Sequence, residues 1–205
     1  MTIRFYSWPR SSGSRVHWAL EELGLPYEYV KLDRAKKEHQ SPDYLAINPN
    51  ARVPALVDGD ERYFESLAIL LHLGERYGVG KGLWPARGPE RAEALSWLVW
   101  STTELLAYMM QYAYHGLDTP VSYAPVDRSK AAAGYNLANF THHLEMLENR
   151  LRGRDFVMGG FSLVDIPIAS TLSFGTMIGV PIEGRASVRA WLERCNRRPA
   201  LARVE

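Results

Sequence analysis

The sequence predicts an α/β domain followed by an all-α domain, and three observations carry that expectation. From residue 2 to residue 77 short stretches of period-two apolar alternation are interleaved with stretches of helical spacing. Between 78 and 88 the composition changes to four glycines with Trp84 and Pro85, which suits a connection rather than a continuing helix. Beyond that connection the apolar spacing is helical throughout.

Each element has a local reason. Thr2 to Tyr6 has a strand pattern, and Ser14 to Leu23 places Val16, Ala19, Leu20 and Leu23 on one helical face before Gly24 stops it. Tyr27 to Leu32 alternates as a second strand. Ser41-Pro42-Asp43 supplies a cap and first turn for a short helix reaching Ile47. A strand over Pro54 to Val57 turns at Asp58-Gly59 and returns antiparallel over Arg62 to Phe64, and Ser66 to Tyr77 is helical. The resulting order, β-α-β-α-β-β-α, is that of a thioredoxin-like domain over 1–78, with a linker at 79–88 and a helical domain at 89–205. In the latter, Pro89 to Tyr114 and Asp127 to Leu151 are the long helices, the second with Leu137, Phe140, Leu144, Leu147 and Leu151 along one face. Ser162-Leu163-Val164-Asp165 has capping-box spacing, with Asp in place of Glu or Gln, before an apolar helix over 163–178, and is read as structural.

Bulk composition narrows the functional classes. With 205 residues, 46% of them hydrophobic, the chain has ample material for a packed core. Twenty-four basic and 23 acidic side chains give a formal charge of +1, so no global field draws nucleic acid or an anionic membrane. The arginines at 185, 189, 194, 197, 198 and 203 are interrupted by Glu183 and Glu193 and read as a solvated face. The single cysteine, Cys195, excludes an internal disulfide and dithiol chemistry. His142 and His143 are adjacent rather than four apart, and no metal is expected. With no signal core at the N-terminus and no apolar run of about 18 residues, a soluble cytoplasmic protein is expected.

The most informative stretch is Ala51 to Asp60 followed by Glu65-Ser66. A Pro-opened strand, a tight turn, a second strand and a helix beginning with an acid and a hydroxyl bring backbone amides, a carboxylate and a serine to one place, where a small zwitterionic peptide can be held. Ser11, Ser12, Gly13 and Ser14 enter the first helix, where a hydroxyl donor, close backbone approach at glycine and a helix N-terminus can all favour an anion.

The ordered set Ser11-Ser12-Gly13-Ser14-Arg15-Val16, Glu38-His39-Gln40, Asn48-Pro49, Val53-Pro54-Ala55-Leu56 and Glu65-Ser66, with a helical second half, resembles the cytosolic glutathione transferases over essentially the whole chain. It is similar to the phi and zeta classes and to the serine type. The resemblance implies the glutathione transferase fold, glutathione as co-substrate and a cis bond before Pro54. It also implies Val53 and Pro54 at the cysteinyl backbone, Glu65 and Ser66 at the γ-glutamyl end, and His39, Gln40 and Arg52 as further glutathione contacts. The candidates for stabilising the thiolate are Ser11, then Ser12, then Tyr6 at the end of the first strand. Trp8, Tyr108, Tyr112 and His115 are expected to line the electrophile pocket. The expected activity is conjugation of glutathione to small hydrophobic electrophiles by a homodimer. The alternatives are a glutathione-dependent cis-trans isomerase similar to maleylacetoacetate isomerase, and a non-catalytic binding module.

Overall fold

The computed structural model describes residues 2–205. They divide into two compact units, one of residues 2–86 with 198–205 and one of residues 87–197. The last eight residues, expected within the helical domain, therefore belong to the first unit.

In the first unit, strands β1 (Ile3–Ser7), β2 (Tyr27–Lys31), β3 (Ala55–Asp58) and β4 (Glu61–Phe64) form one sheet in the order β2-β1-β3-β4. β1 runs parallel to β2 and antiparallel to β3, and β3 and β4 form a hairpin. Helix α1 (Ser14–Leu23) makes the crossover from β1 to β2, α2 (Pro42–Leu45) follows, and α3 (Ser66–Leu73) comes after the hairpin. The hairpin closes through Gly59-Asp60 with Asp58 paired to Glu61, and Gly59 at φ +64° supplies the left-handed conformation that such a short turn needs. Ser41 caps α2 as the sequence implies, its Oγ accepting the Tyr44 N–H at 3.3 Å.

The period-two rule divides β1 between two environments. Phe5 is fully buried, as are Val16, Leu20, Leu56, Ile69 and Leu70, all at 0% exposure, and its ring stacks on Tyr29 at 4.9 Å. Tyr6, the next residue, turns to the other face and joins Tyr44, Ala55 and Val57. At the end of the hairpin Asp58, almost wholly buried, accepts hydrogen bonds from His72 Nε2 at 2.8 Å and Tyr77 OH at 2.7 Å and lies 3.5 Å from Arg76 Nε. Burial raises its carboxyl, but Tyr77, His72 and Arg76 outweigh burial and hold it below the ordinary aspartate value.

A depressed pKa in the folded state contributes stability above the unfolded value and loses it as the group is protonated. Asp58→Asn is therefore expected to lower the urea midpoint at neutral pH, with the gap to wild type closing as pH falls below the reference value of 3.8. Paired urea titrations across that range check it, and a pH-independent gap refutes the ionic reading.

Residues 198–205 run back along α1. Arg198 grips Glu22 through two bonds at 2.6 and 2.7 Å, Arg203 pairs with Glu21, and the Glu205 N–H donates to His17 Nδ1 at 3.3 Å. Ser14 Oγ, in the first turn of α1, donates to the Glu205 carbonyl at 3.1 Å.

The second unit is helical: α4 (Pro89–Trp100), α5 (Ala107–Gly116), α6 (Lys130–Leu151), α7 (Asp165–Met177) and α8 (Ala186–Asn196). The expected single helix over 89–114 is present as α4 and α5 joined by a π-helical stretch at Ser101–Leu106. Helix α6 starts at Lys130 rather than Asp127, because Ser129 caps it by accepting the Ala132 N–H. Phe140, Leu144, Leu147 and Leu151 of its predicted face are buried, as are Leu105, Met109, Leu172 and Trp191. The capping box is fully internal. Asp165 accepts from Val157 N–H and Trp191 Nε1 on one oxygen and from Ser162 N–H and Oγ on the other. Burial pushes its carboxyl up against these four donors.

Candidate functional site

The serines gather at the C-terminal end of β1. Ser7, at 1% exposure, shares the face of Phe5, and the chain turns back over it through residues 8–13, with Arg10 at φ +58°. Ser11 Oγ donates to the Trp8 carbonyl at 2.8 Å, accepts the Gly13 N–H at 3.1 Å and lies 3.0 Å from Ser7 Oγ. Ser7 Oγ also reaches the Trp8 carbonyl at 3.3 Å. Ser12 is exposed, and its hydroxyl donates to the Val53 carbonyl at 3.1 Å. Tyr6 is not in this group: it is 8% exposed and packs beneath α2 against Tyr44, their ring centroids 5.9 Å apart. A cavity of about 560 Å³ is also on that face, over Arg4, Tyr6 and Val57, and none of Ser7, Ser11 and Ser12 lines it.

Gly13 has an ordinary φ of −66°, so its requirement is space rather than backbone freedom. A Cβ there would stand 2.0 Å from Ser7 Oγ and 2.9 Å from Ser7 Cβ. Gly13→Ala is expected to cost about 1–3 kcal/mol, because the start of α1 must move off β1. Thermal unfolding together with glutathione affinity checks this, and an unchanged melting temperature with unchanged affinity excludes the close approach.

The segment before Pro54 is fixed from beneath. The Val53–Pro54 bond is cis, as the resemblance implies. The Arg52 carbonyl accepts from Tyr44 OH at 2.5 Å and Asn48 Nδ2 at 2.6 Å, while Asn48 Oδ1 accepts the Asn50 N–H at 3.0 Å. Asn48, 2% exposed, thus organises the whole turn. Asn50 Nδ2 in turn reaches Glu65 Oε1 at 3.5 Å. Glu65 sits at φ +68° and ψ 122°, a conformation that costs a non-glycine residue about 1–3 kcal/mol and is held by its surroundings. Directly after it Ser66, buried, opens α3, whose first N–H groups precede the bond from Ile69 N–H to the Glu65 carbonyl.

On the other side of the serine turn, the Trp8 ring meets His39 edge-on at 5.3 Å, with the Arg34 guanidinium 6.0 Å from the Trp8 centroid. His39 Nε2 lies 3.5 Å from Gln40 Nε2, and the buried His39 Nδ1 has no partner among the described residues. Ser11, Ser12, Trp8, His39, Gln40, Arg52, Val53, Pro54, Glu65 and Ser66 are thereby linked within one unit through the contacts of Ser12, Trp8, Asn48 and Asn50. Ser7, Asn48 and Asn50 carry these links without being among the sequence candidates. Arg15, in the first turn of α1, is a buried cation whose pKa desolvation pushes down to about 10, which leaves it charged at neutral pH.

The electrophile candidates of the second unit fall into two groups. Tyr108 stacks on His143 at 5.3 Å and 18° and meets Tyr135 edge-on at 6.4 Å. His143 Nδ1 accepts from Trp100 Nε1 at 3.0 Å, and burial lowers the His143 pKa despite Glu104 at 3.5 Å. Tyr112 and His115 instead line a cavity of about 480 Å³ at the far end of α5. One cluster of potential metal donors occurs among the described residues, Asp58, Glu61 and His72, whose ligand atoms lie within 4.8 Å of one another. Arg76 already provides positive charge to its two carboxylates.

Known proteins bear on this geometry. Residues 1–75 match the family model described as "Glutathione S-transferase, N-terminal domain", and residues 102–199 match that of "Glutathione S-transferase, C-terminal domain". A glutathione S-transferase of Silene vulgaris is 30% identical, the alignment covering 98% of this chain and 95% of the relative. The crystal structure of a glutathione transferase from Phanerochaete chrysosporium in complex with oxidised glutathione superposes with a TM-score of 0.83 at 27% identity, covering 98% and 93% of the two chains. A glutathione transferase from Burkholderia graminis with two glutathione molecules bound per subunit gives 0.84 at 27% identity, covering 98% and 86%. No helix among the described residues is long and apolar enough to cross a membrane.

Proposed function

Since the chain belongs to the glutathione S-transferase family, we propose that it binds glutathione in the first unit, ionises its thiol beside Ser11 and joins it through sulfur to a small hydrophobic electrophile. The observation that carries this reading is the link from Ser12 Oγ to the Val53 carbonyl, which joins the hydroxyl-rich entry to α1 with the backbone segment before Pro54. The cysteinyl part of glutathione then lies along Val53. The γ-glutamyl end meets Glu65, a carboxylate suited to an ammonium, and the unbonded amides at the start of α3, suited to a carboxylate. The glycyl carboxylate is assigned to the half-buried His39 and to the exposed Gln40 and Arg52.

A free thiol has a pKa near about 8.5, so at neutral pH the reactive thiolate is a minority that the site must enrich. A hydroxyl donor and the positive end of α1 do this without being consumed. The thiol proton passes to solvent. The sulfur then attacks the electrophilic carbon, the C–S bond forms, and a leaving group such as chloride departs with the bonding electrons. A cytoplasmic homodimer belongs to the same reading, and the exposed apolar side chains of Phe64 in one unit and Val99 in the other are suited to subunit contact.

The deciding experiment is the thiolate absorbance of bound glutathione against pH, in wild type, Ser11→Ala, Ser12→Ala and Tyr6→Phe, with turnover of a chloronitroarene. The expected result is an ionisation near or below neutrality that Ser11→Ala reverses and Tyr6→Phe leaves in place. Binding with an unshifted thiol and no turnover establishes the non-catalytic module instead, and absence of binding removes the reading altogether.

A further inference from the structure

The groove of about 480 Å³ in the helical unit lies where the end of α5, the loop through Pro125 and the first two turns of α6 come together. Tyr112, His115, Pro125 and Leu137 give it aromatic and apolar walls, Arg128 and Lys130 are its fully cationic residues, and no carboxylate lines it. The two cations differ. Arg128 donates through Nε to the Tyr123 carbonyl at 2.7 Å and through Nη2 to Asp118 Oδ1 at 2.8 Å, so its charge is offset within the protein. Lys130 has no hydrogen-bond or ion-pair partner among the described residues, and the first turn of α6 contains no acidic side chain.

His115 adds a second directed group. Its Nδ1 accepts the Ser129 N–H at 3.2 Å, which in the neutral ring leaves the proton on Nε2. That N–H donates to no acceptor among the described residues, and the Tyr123 ring, edge-on at 5.0 Å, holds the imidazole in place. An uncompensated ammonium and a free N–H donor on the wall of an otherwise apolar groove match an anionic group attached to a flat hydrophobic body.

We propose that this groove recognises the carboxylate of an aryl or similarly flat organic acid, with Lys130 supplying the charge and His115 Nε2–H the second hydrogen bond. The proposal rests on reading Tyr112 and His115 as electrophile-lining residues and narrows their substrate class from hydrophobic electrophiles in general to acids.

The test compares 4-chloro-3-nitrobenzoate with its uncharged analogue 4-chloro-3-nitrobenzamide, first by titration calorimetry on the full chain and then as conjugation substrates with glutathione. Wild type is expected to bind the acid roughly tenfold tighter than the amide, and kcat/KM, once divided by each compound's uncatalysed rate constant with glutathione, is expected to follow the same order. Lys130→Gln should bring the ratio to about one, Lys130→Arg should retain most of it, and added salt should reduce it. Equal binding of acid and amide, binding of neither, or a ratio that survives Lys130→Gln overturns the proposal. If the acid is preferred in the calorimeter through Lys130 but neither compound is turned over, the conjugation reading fails while carboxylate recognition stands.

Discussion

Replacing Ser11 by alanine is expected to return the thiol of bound glutathione to an ionisation near pH 8.5 and to lower kcat/KM about a hundredfold. The figure follows from losing one preorganised donor to an anion, taken at the low end of the range because sulfur spreads its charge over a large atom. The surrounding bonds explain why the effect should centre on this hydroxyl. Ser11 Oγ now donates to the Trp8 carbonyl and accepts from Gly13 N–H. Turning its hydrogen toward sulfur leaves the Trp8 carbonyl to Ser7 Oγ, already 3.3 Å away. Ser7→Ala should therefore act as a positioning change, raising the thiol pKa by less than Ser11→Ala does and lowering kcat more than it raises KM. If Ser11→Ala leaves the thiolate titration where wild type has it, the assignment moves to Ser12.

Asp165→Ala is the substitution expected to cost most in stability, about 4 kcal/mol. Its two oxygens receive Val157 N–H, Trp191 Nε1, Ser162 N–H and Ser162 Oγ, and the site is fully buried. Truncation leaves all four donors without an acceptor where water does not replace it. Asp165→Asn should fall between, since the remaining carbonyl oxygen can keep one pair of donors while the amide nitrogen meets the other pair donor to donor. Urea unfolding followed by helical circular dichroism measures both. A loss under about 1 kcal/mol for the alanine variant would mean that the network contributes little.

Much of the first unit is legible from local signals. Gly24 ends α1, Asp58-Gly59 turns the hairpin, Ser41-Pro42 starts α2, and the residues around Val53-Pro54 and Glu65-Ser66 emerge in one linked region. What the residues did not reveal depends on contacts distant in sequence or on a face that propensity does not set. Ser7 reads as an ordinary strand residue until the turn through Arg10 folds Ser11 back onto it. Tyr6 reads as a candidate phenol because it ends the predicted strand, yet its place one residue from Ser7 turns it to the α2 side. The π-helical stretch at 101–106 keeps a helix-like apolar spacing, so nothing in the sequence marks it. Likewise Tyr108, Tyr112 and His115 lie at helical spacing on α5, and only the positions of His143 and Tyr135 on α6 separate Tyr108 from the other two.

The return of residues 198–205 to α1 also has a consequence for the order of biosynthesis. Glu22 is made early, and its side chain is only 6% exposed beside Arg198, a residue translated after the whole of 87–197. Until then the Glu22 carboxylate has the bond from Trp18 Nε1 but not the two from Arg198. The first unit is thus completed only after residues 87–197 have been made, and a chain truncated before Arg198 is expected to leave Glu22 without its two guanidinium bonds.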